Sequence, residues 1–515
     1  MKQPRAQVLA LGAVTMLVLA LMMVISFSLT RAVHEKIRLQ SHADAMTYSM
    51  ATVGARAMNY YAYSNRATAA AAVSVMTLHA YHSQMTLVGS AMNAAWGAFA
   101  QISGWHAALF LSSCTPICTR WDDFRSMIEA GIIATRFLRE SRDFYRRAQA
   151  READFNRAVQ AYSIMIDMVW TAQQSVTFHT INVLRGNDLD SIKTINAPCA
   201  SQMPVAVGAM NVREFACALE GSPIDFMCIG GRAKSALVAR GKVISGVANA
   251  ARGEWPKGRT IPAPVLFHPQ TLQRLMNGIQ REGITLPAIL SGSARTQNGT
   301  GAAECRGNNP NLPGLTACAV DQGLLTSFFR GTPPGIMPYS AEVFSNNNGG
   351  RHVQAQAHQG NHNQWRGFGR TDNIAACLTA GECFVNFRSD PRAAQDFGQP
   401  KVFGHFQQNL REGWRCTRGP WELGSNGRLT LNDGARGDVV LDFLPTEPGS
   451  VVSKSMIYFH RPDSWVFPPN AFDPYWKAKL HPMTNQEAAT VLGAAGDGDG
   501  AAMARGGPLH GRARV

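Results

Sequence analysis

The sequence predicts an α+β protein: a single N-terminal transmembrane helix that continues into a long helical hairpin, followed by a disulfide-containing α+β domain. Three observations predict it. Residues 6–29 carry no charged side chain, the hairpin region contains no proline before Pro116, and all ten cysteines fall after the apolar stretch. At 515 residues, with 45% hydrophobic side chains, 10 Trp and 24 Phe, the chain has enough apolar material for two or three packed units.

Ala6 to Leu29 is 24 residues, enough at about 1.5 Å per residue to cross a hydrocarbon core of roughly 30 Å. Lys2 and Arg5 precede it, as in a secretory signal. A cleaved signal, however, would have a shorter apolar core and a small-x-small cleavage site. Arg31, Lys36 and Arg38 follow instead, as at a helix leaving a bilayer, so the stretch reads as an uncleaved anchor at residues 1–30. Basic residues are nearly balanced on its two sides, so the positive-inside rule does not orient it. The even number of cysteines beyond it does, since paired thiols belong to an oxidising compartment. No second apolar run of comparable length occurs, which predicts one crossing.

The formal charge of +14 is spread over single arginines in mixed sequence. With no basic run it reads as a solvated surface rather than a nucleic-acid interface.

Residues 31–186 read as the helical hairpin. A 4-3-4-3 register passes through Met46, Met50, Val53, Ala57 and Tyr60, then the small residues Ser64, Ala67, Ala71 and Ser74. It continues through Leu78, Tyr81, Met85, Val88, Met92, Ala95, Phe99 and Ile102, spacing that suits a coiled partner. A second helix is expected from about Trp121 to Leu184, with Asp143 and Arg147 placed to pair at i, i+4. Cys114 and Cys118 lie in the connection. Three residues separate their thiols, so they are read as a turn staple and not as the C-x-x-C of an oxidoreductase.

Residues 187–490 read as the α+β domain. Strands are expected at Ala236–Ile244, Gly427–Leu431, Asp438–Leu444 and Lys454–Phe459, and a helix at Pro269–Arg281. Cys305 with Cys318, and Cys377 with Cys383, are the first disulfide candidates by proximity in sequence. Ser345–Gly369 reads as a long loop, and the Gly- and Ala-rich residues 491–515 as a disordered tail.

Catalytic and metal chemistry finds little support. His352, His358 and His362 are the most metal-like group, but asparagine and glycine surround them and no HExxH glutamate is present. Gly230-Gly231 and Gly299–Gly301 lack the strand–loop–helix setting of a phosphate cradle. No catalytic residue, cofactor or metal is assigned. An envelope enzyme or ligand-binding module on a signal anchor remains the alternative, with the histidine loop or residues 458–482 as its site.

The exit from the apolar stretch reads Arg38-Leu39-Gln40-Ser41-His42-Ala43-Asp44-Ala45, with Gly12 opening the apolar run. Together these resemble the Tad-like domain of Flp (tight-adherence) pilus-assembly proteins over residues 5–67, about an eighth of the chain. Gly12, Arg38, Leu39, Gln40, Ala43 and Asp44 carry the resemblance. A second patch, Tyr458-Phe459-His460-Arg461-Pro462 through Trp476, Lys477, Ala478 and Leu480-His481-Pro482, resembles the closing segment of large Tad-type proteins. The chain departs from pilin precursors, because Leu17 stands where a Glu would follow Gly12, and no Asp-x-Ser-x-Ser metal motif occurs. The resemblance implies a non-enzymatic pilus-assembly or envelope component that is single-pass in a bacterial inner membrane. Its C-terminal domain would be periplasmic or extracellular, and partner proteins would pack on the helical region, with room for an oligomer and no role for nucleic acid.

Overall fold

The structure is a computed structural model that describes residues 4–228, 237–257, 269–283, 296–302, 318–324, 336–342, 383–389, 396–409, 428–433, 437–442, 448–462, 464 and 467–506. Helices dominate. In chain order they and the strands are α1 (Pro4–Ser112), α2 (Trp121–Leu184), α3 (Asp190–Asn196), α4 (Val205–Ala218), β1 (Leu219–Glu220), α5 (Leu237–Ala251), α6 (Glu254–Lys257) and α7 (Pro269–Arg281). There follow β2 (Thr296–Ala302), β3 (Cys318–Leu324), β4 (Ile336–Glu342), β5 (Asn386–Phe387), β6 (Lys401–Gln408), β7 (Arg428–Asp433), β8 (Gly437–Asp442), β9 (Gly449–Phe459) and β10 (Trp476–Leu480). Two short helices close the described chain, here α8 (Asn485–Ala494) and α9 (Gly498–Ala504).

The chain forms two compact units, each discontinuous. Unit 1 takes residues 1–63, 173–234 and 385–515, and unit 2 takes 64–172 and 235–384. Each unit therefore draws on both sides of residue 187.

In unit 1 a three-stranded antiparallel sheet of order β10-β9-β6 separates two layers of helix. One face packs on α1. Leu39, Ala43 and Met46 meet Phe406, Val451, Ala197 and Ala200 in one buried cluster. The other face packs on α4 and α8, through Val207, Phe403 and Val491. Strand alternation explains this division, since Val451, Ser453, Ser455 and Ile457 share one side of β9. Gly54 and Gly404 face each other's layer across this contact. A Cβ on Gly54 would collide with Ile457, and one on Gly404 would lie 2.6 Å from Thr47 Cγ2, so glycine is what lets helix and sheet approach.

An open sheet leaves the outward N–H and C=O groups of its edge strands unpaired. Here each edge is closed by an asparagine carboxamide, which carries one donor and one acceptor group to match. On β6, Asn211 of α4 donates to the Phe403 carbonyl at 2.9 Å and accepts from its N–H at 2.8 Å. On β10, Asn59 of α1 does the same for Trp476, at 2.9 Å in both directions. Ser201 closes β6 further along, donating its N–H to the Gln407 carbonyl and accepting the Gln407 N–H on its hydroxyl.

In unit 2, α7 lies on the α1–α2 hairpin: Leu275, Met276 and Ile279 pack with Phe99, Ile102, Ala130, Ala134 and Phe137. These apolar positions recur at helical spacing along α7, as its sequence predicts. The antiparallel strands β2, β3 and β4 form a second sheet in this unit.

Several expectations need correction. Residues 236–244 were expected as a strand, but 237–251 form α5. The short apolar run fits either state, and burial of Ile244 and Ala248, four apart, shows the helical period. The tail is ordered as α8 and α9 up to Ala504. Its Gly-Ala composition hid two caps, a Thr484–Glu487 capping box and an Asp497 side chain accepting from Gly500 N–H. Asp143 pairs with Arg146 at 3.5 Å, one residue nearer than the expected Arg147. The heptad reading of α1 also drifts. Residues 43, 46, 50, 54, 58, 61, 65, 68, 72, 76 and 79 are all buried, ten steps over 36 residues, whereas Tyr60 and Tyr81 on the heptad are exposed. A 3.6-residue period marks a straight helix, and a 3.5-residue register falls behind it by about 20° per heptad.

The edge closure predicts a loss of stability at Asn211. Asn211→Leu removes donor and acceptor together and strands the Phe403 N–H and carbonyl. Each stranded backbone group costs about 1–3 kcal/mol, so urea melts of the full chain should show the Leu variant below wild type by a few kcal/mol, and Asn211→Asp below it too, since its buried carboxylate would face the Phe403 and Leu184 carbonyls.

Candidate functional site

The residues that carry the family resemblance come together on one surface, where α1 meets β9. Leu39 and Ala43 are completely buried beneath the sheet. Beside them a polar ladder runs along the contact. Gln40 donates to Asp44 Oδ1 at 3.0 Å and to the Val452 carbonyl at 3.1 Å. Asp44 Oδ1 also accepts from Ser453 Oγ at 2.6 Å. Ser453 and Ser455 both reach Thr47 Oγ1, at 3.0 and 3.2 Å. Lower on the helix, Gln408 at the end of β6 donates to Glu35 Oε2 at 3.3 Å. Hydrogen bonds of this kind have one geometry only, so they set how far β9 slides along α1, which apolar contacts alone leave open.

The second resembling patch joins the same assembly. Phe459 and Trp476 stack edge-on at 5.3 Å, the Trp476 indole donates to the Asn470 carbonyl, and Asn59 of α1 holds the Trp476 backbone. The Tyr458–Pro482 segment thus closes the sheet against α1. Gly12 is different: it lies exposed on α1 with nothing near its Cα to demand glycine. Arg38 is half-buried at the foot of the ladder.

His42 sits inside this contact. It is fully buried, its ring meets Phe406 edge-on at 4.8 Å, and neither ring nitrogen has a hydrogen-bond partner. Burial, with a smaller contribution from the Lys193 charge, pushes its pKa down to about 4. On the opposite face of the sheet the buried Lys454 donates to both carboxylate oxygens of Glu487 at 2.8 Å. Burial alone would raise the Glu487 carboxyl, but the Lys454 hydrogen bond, the Thr484 bonds and the Lys454 charge outweigh it and hold the pKa at about 2. Lys401 lies 3.5 Å from the same carboxylate.

A second polar feature lies in unit 2. His106 of α1 is buried between three helices, with Nδ1 2.8 Å from Asp123 Oδ1 and Nε2 3.1 Å from the Leu275 carbonyl. Gly278 leaves room for the ring, since a Cβ there would lie 3.2 Å from it. Both partner atoms are acceptors, and each ring nitrogen lies within hydrogen-bond distance of one of them, so the ring is held from both ends. It ties α7 to the hairpin beside an open cleft of about 800 Å³, lined among others by Asp122, Ser126, Gln270, Arg274 and Arg281.

The cysteines are placed as follows. Cys114 and Cys118 are bonded to each other across the hairpin turn, as expected. Cys217 and Cys228 form a disulfide that the sequence reading missed, joining the end of α4 to the turn after β1. Cys199 and Cys383 are disulfide-bonded as well. Of the other candidates, Cys305 and Cys377 lie outside the described residues, and Cys318 is described only as the first residue of β3. His352, His358 and His362 also lie outside them. Among the described residues no group of three or more His, Cys, Asp or Glu side chains is arranged to hold a metal.

No family model matches this chain, and no curated protein or solved structure is significantly similar to it.

The buried groups predict acid lability in two windows. Below about pH 6.5 the unfolded chain protonates His42 while the folded chain resists, so stability falls as pH drops from 6.5 to about 4. A shift of this size is worth about 3 kcal/mol at 1.36 kcal/mol per pH unit. His42→Leu discards no hydrogen bond and should reduce the slope in that window without loss of stability at pH 7.5; part of the slope stays, because burial also lowers His79 and His405. Glu487 acts in the opposite sense of charge. Its carboxylate stabilises the fold above about pH 4.5, and that contribution disappears as pH falls toward 2; Glu487→Gln should remove it. Thermal melts from pH 8 to 2 resolve both windows.

Proposed function

We propose that this chain is a membrane-anchored, non-enzymatic scaffold of a tight-adherence pilus-assembly system or a related envelope machine, with its folded units outside the cytoplasm. The observation that carries the reading is the state of α1 at its start. This helix is long and apolar enough to cross a membrane, and its most apolar window is not buried at all within the protein. Leu9, Leu11, Met16, Leu19, Met22 and Met23 are all exposed. So large an apolar surface calls for a lipid environment.

Three further points support it. The helix continues without a break into the core of unit 1, so anchor and fold are one element. The two patches that resemble Tad-type proteins, distant in sequence, lie in contact through Asn59 and Trp476. Cys114–Cys118 and Cys217–Cys228 are paired, as suits an oxidising compartment.

The direct test is genetic and biochemical together. The full chain should stay in the membrane pellet after alkaline carbonate washing, and Leu17→Arg with Leu19→Arg should release it. A strain lacking the gene should lose pilus assembly or surface adherence. Normal pili and adherence in that strain would remove the pilus assignment, and a wild-type chain released by carbonate would remove the anchor.

A further inference from the structure

Asn59 closes the edge of β10 at one residue only. Tyr475 and His481, at the two ends of this strand, bond inward to β9. The Tyr475 carbonyl accepts from His460 N–H at 3.1 Å, and His481 N–H donates to the Lys454 carbonyl at 2.9 Å. Alternate residues between them therefore face β9, and the others turn their backbone groups outward. Trp476 is the first outward residue, and Asn59 satisfies both its groups. Ala478 and Leu480 come next on that side. Among the described residues nothing hydrogen-bonds to their outward N–H and carbonyl groups. The following outward position is Pro482, which has no N–H and whose carbonyl accepts from Lys454 Nζ at 3.2 Å. On β6, by contrast, Asn211 and Ser201 close the edge at two points. The edge of β10 is thus open over residues 478–480, between an asparagine stop and a proline stop.

The two faces beside this opening differ in chemistry. Ala478 and Leu480 stand on the α1 side of the sheet, paired with Ile457 and Ser455 of β9, and Leu480 is 50% exposed. Lys477 and Lys479 stand on the other side, paired with Tyr458 and Met456. The remaining lysines of this sheet, Lys401 and Lys454, both reach the Glu487 carboxylate. Lys477 and Lys479 make no ion pair among the described residues, and Lys479 Nζ lies over the Tyr458 ring, 4.8 Å from its centre. A strand laid along this edge sets its own side chains alternately against lysine and against alanine or leucine. Lysines at a free edge deter pairing with a second copy, whose own lysines would meet them. The same charges select a strand that carries carboxylates.

We propose that residues 478–480 of β10 are a strand-addition site. It takes an extended segment of a partner protein with carboxylates at one set of alternate positions and apolar side chains at the other. Main-chain hydrogen bonds to Ala478 and Leu480 supply the hold, and Lys477 and Lys479 supply the choice. The site lies within unit 1 and goes beyond the scaffold reading, since it stands whether or not α1 crosses a bilayer. The test titrates the full chain, purified in detergent, into three fluorescein-labelled peptides and follows their anisotropy. One peptide alternates glutamate with valine, one alternates lysine with valine, and one has the glutamate peptide's composition in blocks. The alternating acidic peptide is expected to bind about tenfold tighter than either of the others. Lys477→Glu with Lys479→Glu should reverse the preference toward the lysine peptide, a result that a misfolded chain does not give. Ala478→Pro removes an outward N–H without touching the ladder and should abolish binding of the acidic peptide. No binding by wild type, or equal binding of alternating and blocked peptides, would overturn strand addition. So would an unchanged preference in the double variant or unchanged binding by Ala478→Pro. A wild-type dimer that Ala478→Pro returns to monomer would place a second copy at the edge and overturn the acidic partner.

Discussion

The contact between α1 and β9 is the constraint on which unit 1 depends, because it asks one helix to serve two surroundings. From Val8 to Phe27 the helix exposes most of its apolar side chains. From Leu39 onward it must present a face small enough for a sheet to lie on it. Ala43, Gly54 and Gly404 provide the closeness, and Gln40, Asp44 and Thr47 provide the registration. Ile457 set against Gly54 and Thr47 against Gly404 already favour one position of β9 on α1, and the polar ladder adds to that choice. A slide would separate Asp44 from Ser453 and leave a half-buried carboxylate with fewer donors, which is costly. Position along α1 is thus specified by hydrogen bonds and by packing together.

That division of labour extends to the edges of the sheet. A three-stranded sheet between helices has two exposed edges, and the usual solutions are charge, proline or a covering loop. Here two side-chain amides, one from the helix on each face, act as single-residue strands. Asn59 belongs to α1 and Asn211 to α4, so closing the edges also ties the three layers together. The ion pair between buried Lys454 and half-buried Glu487 adds α8 to the same assembly. Through it, residues near the C-terminus become part of a core whose other half is near the N-terminus.

Much of this was legible in the sequence, for identifiable reasons. Long proline-free helices with steady periodicity reveal themselves, and α2 and α7 span the residues expected of them, Trp121–Leu184 and Pro269–Arg281. Strand β9 announces itself through β-branched and aromatic residues. What stayed hidden depends on distant partners. Asn59 and Asn211 look like ordinary polar residues on helices, and only the strand edges they face give them meaning. The Gly-Ala tail looks featureless until Thr484 and Asp497 are recognised as caps, the signal that could have revealed α8 and α9. A short apolar run such as 236–244 is ambiguous between helix and strand, and tertiary burial of Ile244 and Ala248 decides it. The heptad misreading has a similar origin. Alanine-rich sequence supports both a 3.5- and a 3.6-residue register over a few turns, and the two separate only over the length of α1.

The resembling residues acquire a physical meaning from their surroundings. Leu39 and Ala43 are where the sheet touches the helix, and Gln40 and Asp44 are where it is registered. Each is packed or hydrogen-bonded within that contact, so the pattern is one of seating a sheet on a helix. It describes how a sheet formed from the far end of the chain is seated just above an apolar helix. A stretch bound to that task tolerates little change, since a larger residue at Ala43 or Gly54 lifts the sheet and loss of Asp44 frees its register. Gly12, with no such neighbour, stands outside that logic. The outward faces of the helices carry no such constraint.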